Sequence, residues 1–202
     1  MLTFCKLFNR RSILNKTTSL VTQLLFFFKF GVKTKRLYSV GIPNLSNLGG
    51  ALIIDGSPII SMINTSKIST LGYSNPCKIS IAKGAKLHLK GKVAMSNTSI
   101  IVTKEITIGD NVMIGGGCTI VDTDFHSFNP DDWFTSRDGE NKLSKEVSIG
   151  NNVFIGMKTI ILKGVSIGDN VIIGAGSVVT KNIPDNEVWA GNPAVYVKTV
   201  KI

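Results

Sequence analysis

The 202-residue sequence is poor in the side chains that build disulfides and metal centres. Its three cysteines, Cys5, Cys77 and Cys118, are odd in number and scattered, with no C-x-x-C pair. This usage indicates a reducing compartment and argues against both a disulfide framework and a cysteine zinc site. The chain also has only two histidines, His88 and His126. We therefore expect no metal cofactor.

Acidic residues are missing from the N-terminal part of the chain. Residues 1–40 contain eight lysines and arginines and no aspartate or glutamate, and they carry most of the formal net charge of +10. Residues 121–147, by contrast, contain seven acids against three bases. A nucleic-acid-binding surface would be basic throughout, so we expect no nucleic-acid partner.

The sequence has no apolar run long enough to span a bilayer. The uncharged stretch Thr17–Phe28 is shorter than the about 20 residues required, and no small-residue cleavage site follows it, which argues against a secretory signal. We predict instead that residues 1–45 form a basic, amphipathic helical segment and a linker. Two roles stay open for this segment: capping the next domain, or resting on the anionic inner face of the membrane. The expected location is the cytoplasm, with peripheral membrane contact in the second case.

A period of six residues dominates the rest of the chain. Aliphatic residues recur at Ile149, Ile155, Ile161, Ile167, Ile173 and Val179, with the same spacing upstream at Val102, Ile108 and Ile114 and at Ile81, Leu87 and Val93. This period fits neither an α-helix nor an alternating strand. It is typical of a hexapeptide parallel β-helix, in which the repeated aliphatics point into the core. We predict an all-β domain of this kind over residues 46–202, ending in a C-terminal tail.

Glycine, asparagine and aspartate mark the expected corners of the coil. Glycine follows the repeated aliphatic at Gly150, Gly156, Gly168 and Gly174, and we predict that glycine and asparagine supply positive φ angles there. The segment Gly41–Gly50 is interpreted as a linker. The six-residue register breaks over residues 121–147, which predicts a loop that leaves the coil. Insertions of this kind map to one face of a solenoid, where function is expected.

The two histidines differ in their surroundings. His88 lies between Leu87 and Leu89, so strand alternation predicts that its side chain points outward. His126 lies in the predicted loop, close to Asp122 and Asp124. A histidine beside carboxylates can act as a general base near neutral pH. From the residues alone, an ordinary loop histidine and a metal ligand stay open as alternatives.

The chain resembles the hexapeptide-repeat acyltransferases over roughly residues 79–200. It is most similar to the sugar O-acetyltransferases, both the galactoside and maltose type and those that modify lipopolysaccharide and capsule. The resemblance rests on two stretches, IGDNVMIGGGCTIVDTDFH and IGNNVFIGMKTIILKGVSIGDNVIIGAGSVVTKNIPDNEVWAGNPA. It implies a left-handed coil, acetyl-CoA as the acyl donor, and a homotrimer with active sites between subunits.

The resemblance also implies roles for single residues. It places the catalytic base at His126, where the loop leaves the coil. The positions that match the family's contacts to coenzyme A are Gly156, Ala175, Thr180, Lys181 and Lys198. Two residues depart from the family pattern: Phe154 stands where tryptophan is common, and Val195 stands where arginine is common. The second departure removes one expected partner of the coenzyme A phosphates.

Together these observations predict an acetyl-CoA-dependent O-acetyltransferase that acts on a hydroxyl of a sugar or surface-glycan precursor. His126 would take the hydroxyl proton, Asp122 and Asp124 would orient His126 or bind the acceptor, and Asn97 would add an acceptor contact. An N-acetyltransferase acting on an aminosugar or antibiotic would share these motifs, and a non-catalytic β-helical scaffold is a further alternative. A γ-class carbonic anhydrase, which needs three histidines, is excluded by a chain with two.

Overall fold

The computed structural model describes residues 20–25, 36–40, 44–54, 59–63 and 77–201. Residues 20–25 are α-helical (α1), and the remainder is mostly β-strand. The other residues of the predicted N-terminal segment, including most of its basic side chains, lie outside the described ranges. Within those ranges, the helices are too short or too polar to cross a bilayer.

The strands of the described ranges are short and follow one another closely. They are β1 (Arg36–Val40), β2 (Asn44–Leu48), β3 (Ala51–Ile54), β4 (Ile59–Ile63), β5 (Lys78–Ile81), β6 (Lys86–Leu89), β7 (Val93–Ser96), β8 (Ser99–Val102), β9 (Glu105–Ile108), β10 (Val112–Ile114), β11 (Thr119–Val121), β12 (Val147–Ile149), β13 (Phe154–Ile155), β14 (Ile160–Ile161), β15 (Ser166–Ile167), β16 (Ile172–Ile173), β17 (Val178–Val179), β18 (Glu187–Gly191) and β19 (Ala194–Thr199).

Each coil contributes one strand to each of three parallel sheets. The first sheet has the order β1-β4-β7-β10-β13-β16-β18-β19, the second β2-β5-β8-β11-β14-β17, and the third β3-β6-β9-β12-β15. Every third strand is a neighbour because three strands complete one turn, as the hexapeptide period predicts. The tail departs from this pattern, since β18 and β19 pair antiparallel.

The repeated aliphatic residues form the core of the coil. All the predicted inward positions from Ile81 to Val179 are buried, with exposed fractions between 0% and 3%. Burying a side chain of this size stabilises the fold by about 1.5–3 kcal/mol, so the column is the main source of stability. Cys77 and Cys118 lie in the same core as free thiols, and burial raises the pKa of Cys77 to about 11.

The corners use asparagine and glycine for different reasons. Asn111, Asn152, Asn170 and Asn186 adopt φ angles of 55–61°, and their side-chain amides form a ladder with N–O distances of 2.8–3.0 Å. The block glycines were expected to supply positive φ as well, but this prediction is wrong for Gly150, Gly156, Gly168 and Gly174, which are not among the residues with positive φ. Glycine is needed there because a Cβ would collide with the next coil.

The coil begins earlier in the chain than the sequence indicated. The predicted linker Gly41–Gly50 contains β2, which pairs in parallel with β5, and β1 pairs with β4. The linker composition is overridden because a parallel sheet uses backbone N–H and C=O groups, which polar residues also supply. The division into segments 1–45 and 46–202 stays a prediction.

The predicted loop leaves the coil between β11 and β12. Residues 122–146, hereafter the excursion loop, contain a one-turn 3₁₀ helix, Pro130–Asp132, and a short helix α2, Ser136–Asn141. The six-residue register resumes at Val147–Ile149, and β12 pairs with β9 as though the loop were absent. The loop therefore projects from a coil that is continuous beneath it.

Candidate active site

The excursion loop starts at a buried carboxylate. Asp122 is completely buried, and it accepts hydrogen bonds from the backbone N and the Oγ1 of Thr103 at 2.7 and 2.9 Å and from the backbone N of Lys104 at 2.7 Å. These bonds fasten the root of the loop to the turn that follows β8. The prediction that Asp122 orients His126 or binds the acceptor is wrong, because both of its oxygens are enclosed and occupied.

A second carboxylate anchors the loop to the coil. Asp124 Oδ1 lies 2.8 Å from Lys163 Nζ, and both side chains are about 80% buried. The Lys163 ammonium also lies 5.6 Å from the ring centroid of Phe128, a cation–π contact. Lys163 follows β14, the neighbour of the strand from which the loop departs. Asp124 therefore anchors the loop, and the prediction that it orients His126 is wrong, because Asp138 occupies that place. Its buried Oδ2 has no hydrogen-bond partner, and its contact with the acceptor stays a prediction.

The side chain that orients His126 is Asp138, on helix α2. Its Oδ2 lies 2.6 Å from His126 Nδ1, and its Oδ1 accepts a hydrogen bond from the backbone N of Ser127 at 2.8 Å. The bond to His126, followed by the bond from Ser127, holds the pKa of Asp138 below its usual range. A carboxylate at this place keeps a proton on Nδ1, so that Nε2 is the atom that can accept one.

Sequence reasoning missed Asp138 because it lies 12 residues beyond His126. The only signal was its membership of the seven acids in the predicted loop, and nothing in the sequence separated it from the other six. The two acids nearest His126 were chosen instead. Proximity in the chain predicted the wrong partner because the loop folds back at α2 and brings the Asp138 carboxylate to the His126 ring.

The interior of the loop is organised by Asp132. This buried carboxylate accepts hydrogen bonds from Ser127 Oγ and Asn141 Nδ2, each at 2.8 Å, and lies 3.5 Å from Arg137 Nε. The bonds from Asn141 and Ser127 hold the pKa of Asp132 below its usual range. Trp133 Nε1 donates to the backbone O of Ser127 at 2.8 Å. These contacts fix the segment on either side of the His126–Asp138 pair.

The pair opens into a cavity of about 440 Å³. The cavity is lined by His126, Asp138, Trp133, Phe134 and Thr135. The His126 side chain is 72% exposed, whereas Asp138 is only 17% exposed. The arrangement places a solvent-accessible imidazole, backed by a shielded carboxylate, beside two aromatic rings.

Asn97, the third predicted acceptor contact, does not reach this cavity. It occupies the turn between β7 and β8 with a φ of 48°, and only 8% of the residue is exposed. Asparagine tolerates this left-handed conformation well. Asn97 does not line the cavity of His126, and its contact with an acceptor stays a prediction.

Two of the predicted coenzyme A contacts meet in the coil. Gly156 stacks directly on Ala175, since a Cβ on Gly156 would collide with the backbone N of Ala175. The carbonyl of Gly156 also accepts a bond from Cys118 Sγ at 3.1 Å, one residue before β11. The stack therefore lies beside the strand that leads into the excursion loop.

The remaining predicted contacts lie nearer the C-terminus. Thr180 and Lys181 are exposed after β17, and Lys198 is exposed on β19. Lys198 lines a second pocket of about 320 Å³ together with Lys201, which sequence reasoning did not single out. The signal for Lys201 was present in the basic end of the tail. Phe154, the departure from the family pattern, is 43% exposed and lines a groove with Met113 on the same sheet.

The described ranges contain no group of three histidine, cysteine or carboxylate side chains that could hold a metal ion. His126 directs its Nδ1 to Asp138. Of the alternatives left open for this residue, its geometry favours the general base.

Known proteins share the repeat and the coil. Residues 146–181 match the family described as bacterial transferase hexapeptide (six repeats), and residues 105–121 match the hexapeptide repeat of succinyl-transferase. The chain is similar to a galactoside O-acetyltransferase of Lactococcus lactis, with 39% identity over 118 residues that cover 58% of this chain and 55% of the relative. It spans about half the length of the curated relatives it matches.

Solved structures resemble the coil as a whole. A galactoside acetyltransferase in complex with coenzyme A has a TM-score of 0.54 at 30% identity, over 74% of this chain and 66% of that one. An N-acyltransferase from Bacillus cereus, in complex with dTDP and 3-hydroxybutyryl-CoA, has a TM-score of 0.67 at 17% identity, over 88% and 87% of the two chains. The second likeness shows the fold alone. With the three parallel sheets, these likenesses confirm the predicted all-β, left-handed parallel β-helix.

Proposed function

Because the chain belongs to the hexapeptide-repeat acetyltransferase family, we propose that it transfers an acetyl group from acetyl-CoA to a hydroxyl of a sugar or surface-glycan precursor. The observation that carries the proposal is the pair of His126 and Asp138, whose atoms lie 2.6 Å apart at the cavity of the excursion loop. Acyl transfer to a hydroxyl needs a base positioned in this way. The similarity to a galactoside O-acetyltransferase supports a sugar hydroxyl as the acceptor.

In this mechanism His126 Nε2 takes the proton of the acceptor hydroxyl while that oxygen attacks the thioester carbonyl carbon. Asp138 holds the other ring proton on Nδ1 and stabilises the imidazolium that forms. The carbon–sulfur bond then breaks, and His126 returns the proton to the departing sulfur of coenzyme A. The base is neutral again at the end of the cycle. General-base assistance of this kind contributes about 10²–10⁴-fold to the rate.

The coil offers groups that fit the acyl donor. The close stack of Gly156 on Ala175 leaves their backbone without large side chains beside it, which suits an extended pantetheine arm. Lys198 and Lys201 share one pocket near the C-terminus, where ammonium groups would hold phosphates through charge-assisted hydrogen bonds. Thr180 and Lys181 are exposed between these regions in the chain and are proposed to contact the nucleotide end.

The first experiment measures thiol release from acetyl-CoA with a panel of free sugars, aminosugars, nucleotide sugars and short glycans. We expect release that requires an acceptor and falls about 10²–10⁴-fold in His126→Ala. The matched control is His88→Ala, which removes the chain's other histidine from the outer face of β6. If amines alone are acetylated, the enzyme is an N-acetyltransferase. If acetyl-CoA does not bind, the proposed reaction is refuted and the scaffold alternative returns.

We propose further that the active unit is a homotrimer with its sites between subunits. His126 projects from the coil with a largely exposed side chain, and a neighbouring subunit would shield the reacting atoms from water. Light scattering tests this assembly, and a monomeric mass for the active protein would contradict it.

We also propose that the protein is cytoplasmic and that residues 1–40 rest on the inner face of the membrane. Eight basic residues and no acids favour an anionic surface. Changing Lys29, Lys33 and Lys35 to glutamine should release the full chain from phosphatidylglycerol vesicles. Unchanged sedimentation would refute the electrostatic contact.

A further inference from the structure

Two neighbouring aromatic rings stand in the open cavity beside the base. Trp133 is 47% exposed, and Phe134 is fully exposed. Both line the cavity that contains His126 and Asp138. Rings of this size normally contribute by being buried, so their exposure at a reaction site indicates a surface that a ligand covers.

The loop holds the Trp133 ring and the backbone of Phe134 in place before any ligand arrives. Phe134 has a φ of 63°, a conformation that is rare for a bulky residue and is often found at functional sites. On its two sides, the Trp133 indole donates to Ser127 O at 2.8 Å and Thr135 Oγ1 donates to Asp132 O at 2.6 Å. A surface fixed in advance loses little conformational freedom when it binds a ligand.

The cavity combines this aromatic surface with a few polar groups. His126, Asp138 and Thr135 supply hydrogen-bonding groups on the same lining. A pyranose ring has matching chemistry, because a C–H-rich ring face can lie on an aromatic ring while its hydroxyls reach polar partners. A volume of about 440 Å³ is in the range of small-molecule sites.

We propose that Trp133 and Phe134 form a stacking platform for the ring of a pyranose acceptor and thereby select cyclic sugars over open-chain polyols. This proposal rests on the proposed acetyltransferase function and adds the part of the acceptor that is recognised. Phe134 is a specificity-determining residue in this arrangement: it binds the ring that presents a hydroxyl to His126.

The test reads binding directly, so it does not depend on turnover. The chain has two tryptophans, and Trp189→Phe leaves Trp133 as the single tryptophan in the full-length protein. The probes are methyl β-galactopyranoside and galactitol, which carry similar hydroxyls with and without a ring. We expect the pyranoside to change the Trp133 emission and galactitol to leave it unchanged. Adding Phe134→Leu should weaken pyranoside binding about 2- to 10-fold, and Phe134→Tyr should restore it.

The control for exposure is Leu143→Ala, because Leu143 is as exposed as Trp133, belongs to the same loop and does not line the cavity. It should leave pyranoside binding unchanged. Equal responses to the pyranoside and galactitol, no response to either, or an unaltered response in Phe134→Leu would overturn the platform. A change of oligomeric mass in Phe134→Leu would overturn it too, since the ring would then be a subunit contact. Failure of acetyl transfer with a normal pyranoside response would instead refute the proposed reaction.

Discussion

Replacing Asp138 with asparagine should disable His126 while leaving the fold in place. The asparagine carbonyl can still accept the hydrogen bond that Ser127 N now gives to Oδ1 at 2.8 Å. Its NH₂ group then occupies the place of Oδ2, 2.6 Å from His126 Nδ1. An amide at this position donates to Nδ1, so the ring proton moves to Nε2 and the base is lost.

The expected loss follows from this change of tautomer. Without a working base, kcat should fall about 10²–10⁴-fold, which corresponds to about 3–5 kcal/mol of transition-state stabilisation. The KM for acetyl-CoA should stay near its original value, because the predicted donor contacts lie on the coil and the tail. Steady-state thiol release at saturating acceptor measures both quantities.

The matched control is Glu140→Gln, which removes the same charge from the same helix two residues away. Glu140 is exposed and does not line the cavity, so activity should be unchanged. If Asp138→Asn kept a kcat within about twofold of the original enzyme, Asp138 would not position the base and the mechanism would need another orienting group. An equal loss of kcat in both variants would indicate that the negative charge of the loop matters, and not the tautomer of His126.

Three further outcomes follow from the described contacts. Lys163→Met leaves Asp124 unpaired and should lower the free energy of unfolding by about 1–3 kcal/mol in urea titrations. An unchanged urea midpoint would show that the Asp124–Lys163 pair does not anchor the loop. The lowered pKa of Asp132 means that its ionised carboxylate stabilises the fold. This stabilisation is fully present above pH 3.8, the ordinary pKa of an aspartate, and is lost as the pH falls through the lower pKa of the folded chain. Trp133 fluorescence should therefore change below about pH 4 before the circular dichroism of the coil does, and simultaneous changes would contradict this order. Gly156→Ala should cost about 1–3 kcal/mol because the new Cβ meets the next coil, whereas Gly139→Ala in α2, which meets nothing, should gain about 0.5–1 kcal/mol; equal urea midpoints would refute the stacking argument.

The coil could be predicted from the sequence because its repeat and its core are the same feature. The aliphatic at every sixth position is also the residue that each turn must bury, so Ile149 or Ile167 shows its role without a structure. The role of the corner glycines was harder to predict. Glycine is suited both to a positive φ and to a close approach between neighbouring coils. The structure shows that Gly150 and Gly156 are required for the close approach.

The excursion loop could be located but not folded from its sequence. His126 stood out because the chain has few histidines and because the register breaks beside it. The partners of the loop carboxylates depend on tertiary contacts: Asp124 bonds to Lys163, 39 residues further along the chain, and Asp138 reaches back across a helical turn. No periodicity marks such contacts, so proximity in the chain gave the wrong pairs.

The asparagine ladder shows how reaction chemistry and architecture are divided in this chain. The side chains of Asn152 and Asn170 bond at 3.0 Å across 18 residues of sequence, and those of Asn111 and Asn152 bond at 2.8 Å across 41. The 23 additional residues leave no trace in the stack, because the corners meet as they would without them. The coil thus accommodates the excursion loop without any change in the stacking of its own corners. Substitutions in the loop can change what the protein recognises, while the coil and the stability it provides stay the same.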